Sequence, residues 1–367
     1  MSFYTYIEKM ETRNFDLFFS SIEEKDVRRV LNQEVLSEED FLTLLSPVAQ
    51  NFLEEMAEKA HKLTVQHFGK TVLLFTPLYI ADYCVNHCTY CSFSIINEFE
   101  RKRLTLDEIE EESRTIASMG LRHILILTGE SKQHTPVSYL KDVVSVMKKY
   151  FSSIAIEINP LHTEEYQELV EEGVDGLTVY QEVYDRQEYK KYHVKGPKRD
   201  YRYRLDAPER GCQAGMRNVT IGSLLGLSDW RTEVFFTGMH AEYLQKKYLG
   251  TEINVSLPRI QPYVGSDSSI TEVDNVHFVQ SMLALRLFLP KAGITLSTRE
   301  SAFFRDHLLP LGVTKMSAAS STEVGGYTNE HSSVKQFETS DERTVPQITT
   351  MLQEKGYQPI YQNWIQV

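Results

Sequence analysis

The chain has 367 residues, of which 41% are hydrophobic and 25% charged, and its net charge is −12. That composition is ordinary for a globular chain able to bury a core, as one large barrel or two domains. The acid excess argues against nonspecific nucleic-acid binding, because no basic stripe offsets phosphate repulsion. No apolar run is long enough to span a membrane, and the opening Met1-Ser2-Phe3-Tyr4 begins no signal peptide. Free thiols without an export signal point to the reducing cytoplasm.

Residues 1–68 read as an N-terminal helical extension packed on the main domain. Within 36–45, Ser37 suits an N-cap and the apolar residues behind it have helical spacing. From Thr71 short strand signals alternate with amphipathic stretches. A strand at 72–79 is followed by a helix at 106–119, which opens on a capping box of Thr105 and Glu108 and closes at Gly120. A strand at 123–128 precedes a helix at 136–150. A strand at 154–158 precedes a helix at 163–172, closed by Gly173, and the fourth strand is 176–180. Further strands are expected at 218–221, 253–257, 294–297 and 313–316, with helices at 232–247, 271–289 and 301–308 between them. Eight strands alternating with helices predict a (β/α)8 TIM-type barrel over residues 69–330. An open doubly wound sheet is the alternative, but no G-x-G-x-x-G follows the first strand. Residues 331–367 read as a C-terminal helix, from Thr344, and a short apolar tail at 361–367 packed on the barrel.

Chemistry concentrates just after the first strand. Cys84, Cys88 and Cys91 are spaced C-x3-C-x2-C, which leaves only Cys212 elsewhere, so no disulfide framework can form. Cys212 lies in a helical stretch at 208–216 and reads as a small buried hydrophobe. Three clustered thiols leave two metal readings open. His87 could complete a Cys3His zinc site, or three thiolates could hold an iron–sulfur cube with one iron free for a non-protein ligand.

In a parallel barrel, functional groups collect at the carboxyl ends of strands. Polar residues fall at those ends here: Thr128-Gly129-Glu130 on the second strand, Glu157 and Asn159 on the third, and Tyr180-Gln181-Glu182 on the fourth. Arg259, Ser297-Thr298-Arg299 and the segment from Ser317 to Ser320 end the later ones. The basic stretch 190–199 reads as a loop, with His193 inside it a candidate proton shuttle by residue type.

The cysteine spacing after a first strand resembles the radical S-adenosylmethionine (SAM) superfamily. Five further stretches resemble its aromatic amino-acid lyase branch: Phe75-x-Pro77-Leu78-Tyr79, Val179-Tyr180-Gln181-Glu182, His193-x-Lys195-Gly196, the run 296–301 and Gly325-Gly326-Tyr327. This resemblance implies a [4Fe–4S] cluster on Cys84, Cys88 and Cys91, whose open iron is chelated by SAM. It places Tyr90 near the adenine, Thr128, Gly129 and Glu130 at the SAM amino group, Glu182 at the ribose and Arg204 at the SAM carboxylate, with Glu157 a further cofactor contact. Thr128 stands where the family's G-G-E motif has its first glycine. Arg299 is expected to hold the substrate carboxylate, with Ser317 and Ser320 bonding the same end and Tyr180 lining the pocket.

The activity implied is cleavage of the Cα–Cβ bond of L-tyrosine to 2-iminoacetate (dehydroglycine) and p-cresol, with SAM converted to 5′-deoxyadenosine and methionine, for the thiazole of thiamine. A thiazole synthase subunit and a reductase or flavodoxin-type electron donor are the implied partners. A tryptophan-cleaving enzyme shares the same carboxylate clamp. A hydrogenase-maturation lyase is expected to carry further cysteines beyond Cys212. A non-catalytic iron–sulfur redox or binding protein is the reading from a different class, and it has little use for strand-end acids.

Overall fold

A computed structural model describes residues 2–263, 272–328 and 334–362. Met1, Thr271 at the start of the helix expected at 271–289, and residues 363–367 of the expected tail lie outside them. So does the boundary expected between 330 and 331.

Eight parallel strands form the expected barrel: β1 (Thr71–Ala81), β2 (His123–Thr128), β3 (Ser153–Glu157), β4 (Gly176–Glu182), β5 (Asn218–Ser223), β6 (Glu252–Ser256), β7 (Gly293–Leu296) and β8 (Lys315–Ser317). Each pairs with the next in chain order, and β8 closes on β1 in the register Leu73–Lys315, Leu74–Met316 and Phe75–Ser317. All strands run the same way, so every carboxyl end opens on one face. Helices cover the outside, which is why a strand such as β5 is buried along its whole length rather than at alternate residues.

The strand at Gln358–Ile360 was not foreseen. It pairs with Thr71–Leu73 at the foot of β1, while β1 reaches β2 only from Thr76 onward. The carbonyl of Tyr361 also accepts from the Arg122 N–H before β2. The tail thus fills the wedge between two strands that diverge at the base of the barrel. A second unforeseen pair, His87–Cys88 with His193–Lys195, lies outside the barrel over its carboxyl ends.

The N-terminal residues contribute five helices, ending in Leu53–Phe68. Ser37 caps Glu38–Leu44 as expected, its hydroxyl accepting from the Asp40 N–H at 3.2 Å. These helices share a continuous core with the barrel. Phe41 stacks on Phe288 with ring centroids 4.4 Å apart, and Gln280 donates to the carbonyls of Leu44 and Ser46. Gly238, in the helix Trp230–Lys247, makes room for that ring: a Cβ there would stand 2.7 Å from Phe41 Cζ and 3.2 Å from Leu285 Cδ2. Gly238→Ala is therefore expected to destabilise the fold by about 1–3 kcal/mol through overpacking, despite alanine's better helix propensity. A thermal midpoint equal to or above wild type would contradict this account of the junction.

Candidate active site

The first strand ends in the thiol-bearing segment, and two devices hold that segment in place. Arg101 donates to the carbonyls of Asp82, Phe93, Ser94 and Asn97, gathering both limbs of the loop around one guanidinium. Gly129, at the exit of β2, lets Asp82 and Tyr83 pass: a Cβ there would lie 2.9 Å from the carbonyl carbon of Asp82 and 2.8 Å from that of Tyr83. The glycine expected to serve a cofactor thus has a packing reason of its own. The neighbouring Thr128 hydroxyl is buried without a hydrogen-bond partner among the described residues.

Cys84 and Cys91 are half-buried and Cys88 is buried, and none is in a disulfide. Burial raises all three thiols, Cys91 to about 11, and the charge of Lys198 opposes the rise. Among the described residues, no three His, Cys, Asp or Glu side chains converge as ligands of a single ion. Three thiols on one loop are a donor set that suits three corners of an iron–sulfur cube.

Beside this loop lies a buried group of four charges. Arg204 donates to Glu130 at 2.8 Å and approaches Glu182 at 3.5 Å, and Lys198 pairs with Glu182 at 2.8 Å and lies 3.8 Å from Glu130. Asn86, inside the cysteine segment, donates to the other oxygen of Glu130 and accepts from the Lys198 N–H. Burial opposes charge on Glu130, Lys198 and Arg204. Even so, Arg204 and Lys198 hold Glu130 below the usual carboxylate range, and the two acids keep Lys198 and Arg204 above their usual ranges. Those three groups are therefore ionised at neutral pH.

Glu182 is aimed there by the backbone. Its φ of 69° is in the left-handed region, and the register with β5 shifts between Tyr180 and Glu182. A bulge of this kind re-aims a side chain at a strand end, at a cost of about 1–3 kcal/mol in local strain.

Lys198 escaped sequence reasoning, since nothing distinguishes it from the exposed Lys190, Lys191 and Lys195 around it. The pairing of His193–Lys195 against the cysteine segment turns it inward. The same pairing corrects the expectation for His193. Its Nδ1 side bonds the Tyr189 carbonyl at 2.8 Å, so its Nε2 accepts from the Tyr90 hydroxyl at 2.7 Å. Burial, then the charge of Lys198, keep the ring neutral. His193 is fully buried and orients Tyr90, which does not suit a proton shuttle.

The barrel mouth encloses a cavity lined by Tyr90, Cys91, Glu157, Tyr180, Glu182 and Lys198 on one side and by Ser297, Arg299, Ser317 and Ser320 on the other. Phe75 forms part of its floor, with the Lys315 ammonium 4.7 Å from the ring centroid. Cys91 and Arg299 therefore face one shared space.

Arg299 has no carboxylate partner among the described residues. Its neighbour Glu300 pairs with Arg259 instead, which removes the most obvious structural explanation for Arg299. The guanidinium lies over the Phe337 ring, 3.4 Å from the centroid, and its one hydrogen bond among the described residues is a long 3.4 Å contact to the Arg259 carbonyl. Burial lowers its proton affinity, and the nearby Tyr79 is the first of several groups that oppose this. The Ser317 hydroxyl accepts from the Thr298 N–H at 3.1 Å, and the Ser320 hydroxyl is buried with no partner among the described residues. A cation and an orphaned hydroxyl on one wall match an incoming carboxylate.

Gln336 and Phe337 were also missed. Their segment crosses the barrel mouth, where Tyr79 donates to Gln336 at 2.7 Å and Thr322 donates to the Phe337 carbonyl. Tyr327 staples the preceding loop to β1, donating to the Pro77 carbonyl while its backbone N–H bonds the buried Glu112.

The comparisons with known proteins agree with this geometry. Residues 78–235 match the Radical SAM superfamily and residues 256–358 match the Biotin and Thiamin Synthesis associated domain. The chain is 39% identical over 340 residues to the 2-iminoacetate synthases of Salmonella typhimurium and Escherichia coli, spanning 92% of this chain and 90% of each of theirs. The chain belongs to the 2-iminoacetate synthase family of radical SAM enzymes. Among solved structures, the FeFe-hydrogenase maturase HydG from Carboxydothermus hydrogenoformans superposes with a TM-score of 0.86 at 33% identity, over 98% of this chain and 82% of that one.

Proposed function

We propose that the protein is a radical SAM carbon–carbon lyase that cleaves L-tyrosine between Cα and Cβ, giving 2-iminoacetate and p-cresol for thiamine thiazole formation. The observation that carries the substrate class is Arg299, a half-buried guanidinium without a carboxylate partner among the described residues, facing the cavity that Cys91 also lines. Kinship to 2-iminoacetate synthases supports the reaction.

Cys84, Cys88 and Cys91 would hold three irons of a [4Fe–4S] cluster. Glu130, Glu182, Arg204 and Lys198, with Tyr90 alongside, would surround SAM, whose amino, carboxylate and ribose groups suit paired acids and bases. When bound, the cluster and SAM together would supply the radical chemistry that starts from hydrogen-atom abstraction. The protein's own residues prepare that event. Arg299 fixes the carboxylate through its planar fork, and Ser320 and Ser317 offer hydroxyls beside it. Phe75, Leu125, Leu127 and Phe337 line the cavity with apolar surface that displaces water. His193 holds Tyr90 in place. A thiazole synthase subunit would receive the iminoacetate directly, before water hydrolyses it, and a reductase or flavodoxin-type donor would supply the electron. No described helix is long and apolar enough to cross a membrane, and the cytoplasm would keep the thiols reduced.

Anaerobic reconstitution with iron and sulfide, followed by SAM, a reductant and L-tyrosine, is expected to release 5′-deoxyadenosine and p-cresol together. Deoxyadenosine without p-cresol would retain the radical chemistry and reject tyrosine as the substrate.

A further inference from the structure

Glu157 is the acid that the reading above leaves without a task particular to it. It ends β3 and lines the cavity, yet it makes no hydrogen bond or ion pair with any described residue. The other acids nearby are engaged: Glu130 and Glu182 with Arg204 and Lys198, Glu300 with Arg259, and Glu112 with the backbone of Tyr327.

Position narrows its role. In a closed eight-strand barrel, β3 is diametrically opposite β7 and flanks the point opposite β8. Arg299 follows β7 and Ser317 ends β8. A substrate pinned by its carboxylate on that side carries its amino group there too, because both are bonded to one carbon. Its side chain then crosses the cavity between Phe75 on β1 and Leu125 and Leu127 on β2, and meets the wall that holds Glu157.

The geometry points to Glu157 as the residue that reads the para-hydroxyl of the substrate ring and so selects tyrosine among aromatic amino acids. This assignment rests on the tyrosine lyase reading and departs from the expectation that Glu157 contacts the cofactor. Burial, then the charge of Glu182, push its carboxyl up to about 7. Both of its forms can bond a phenol, the ionised one as acceptor and the neutral one also as donor. An indole has no para-hydroxyl to offer, so its binding would leave this carboxyl unmatched.

The test uses anaerobically reconstituted wild type, Glu157→Leu and Glu157→Gln. It measures kcat/KM for p-cresol release, and calorimetric dissociation constants for tyrosine, phenylalanine and SAM. Glu157→Leu is expected to lower kcat/KM for tyrosine by about 10²–10³-fold while phenylalanine affinity stays within about twofold of wild type. SAM affinity should be unchanged, and Glu157→Gln, which keeps a hydrogen-bonding oxygen, should recover part of the loss. Equal weakening of tyrosine and phenylalanine, or weakened SAM binding, would overturn the assignment by placing Glu157 at the amino-acid end or the cofactor. An intact preference for tyrosine over phenylalanine in both variants would overturn it as well. Those results leave the lyase reading standing if wild type makes p-cresol. A wild type that makes none rejects the reading and the assignment together.

Discussion

Replacing Cys88 by alanine is expected to abolish p-cresol and 5′-deoxyadenosine production completely, with iron and acid-labile sulfide per chain falling well below wild type. With two thiolates in place of three, a second corner of the cube would lack a protein ligand, and the chain has no spare thiol to take its place. Cys212 is buried in the helix Ala207–Gln213 among residues that pack against the outside of the barrel. The fold should survive the change. Cys88 belongs to the short pair with His193–Lys195, which contributes no strand to the barrel, so the far-ultraviolet circular dichroism of the apoprotein should match wild type. A variant that retains full iron and still releases p-cresol would refute the cluster assignment for this residue.

The second large effect is expected at Arg299. Arg299→Met should lower kcat/KM for tyrosine by about 10²–10³-fold, the range for losing a charge-assisted clamp on a desolvated carboxylate. Arg299→Lys should fall between, because lysine keeps the charge but loses the two-pronged fork. Two controls separate binding from structure. SAM affinity should be unaffected, since Arg204 pairs with Glu130 and Glu182 and Arg299 takes no part in that group's hydrogen bonds. Apoprotein stability should stay level or rise in the methionine variant, since it removes a half-buried cation that has no carboxylate partner among the described residues. Arg305 is the contrast within the same chain, since it is fully buried and paired with Asp341. A marked fall in the thermal midpoint of Arg299→Met would assign the residue a structural role instead.

Much of this site was legible before any coordinates, for a local reason. Cys84, Cys88 and Cys91 are close in sequence, so their joint role needs no tertiary information. Glu130, Tyr180, Glu182 and Arg299 fall at strand ends, and a parallel barrel brings all such ends to one face whatever the details of packing. The barrel itself followed from the alternation of strands and helices, with each barrel strand within a few residues of its expected place. The added strand at Gln358–Ile360 was hidden because three residues carry no readable period.

Other features became visible only when distant segments met. Lys198 and Lys195 look alike in the chain, and the antiparallel pairing with the cysteine segment alone sends the first into the site and leaves the second in solvent. His193 had the residue type of a proton carrier until burial and two hydrogen bonds made it a support for Tyr90. Gln336 and Phe337 had no motif, and the segment that carries them across the barrel mouth gives them their place at the cavity.

Spacing and strand polarity alone were enough to read the barrel, the clustered thiols and the charges available at its mouth from the chain. The tertiary structure decided which of those charges neutralise one another and which do not. Glu130, Glu182, Arg204 and Lys198 satisfy each other in a buried group, while Arg299 and Glu157 are left facing the cavity. That division depends on ångström-scale distances between residues as much as 74 positions apart, where burial makes each pairing, or its lack, energetically large.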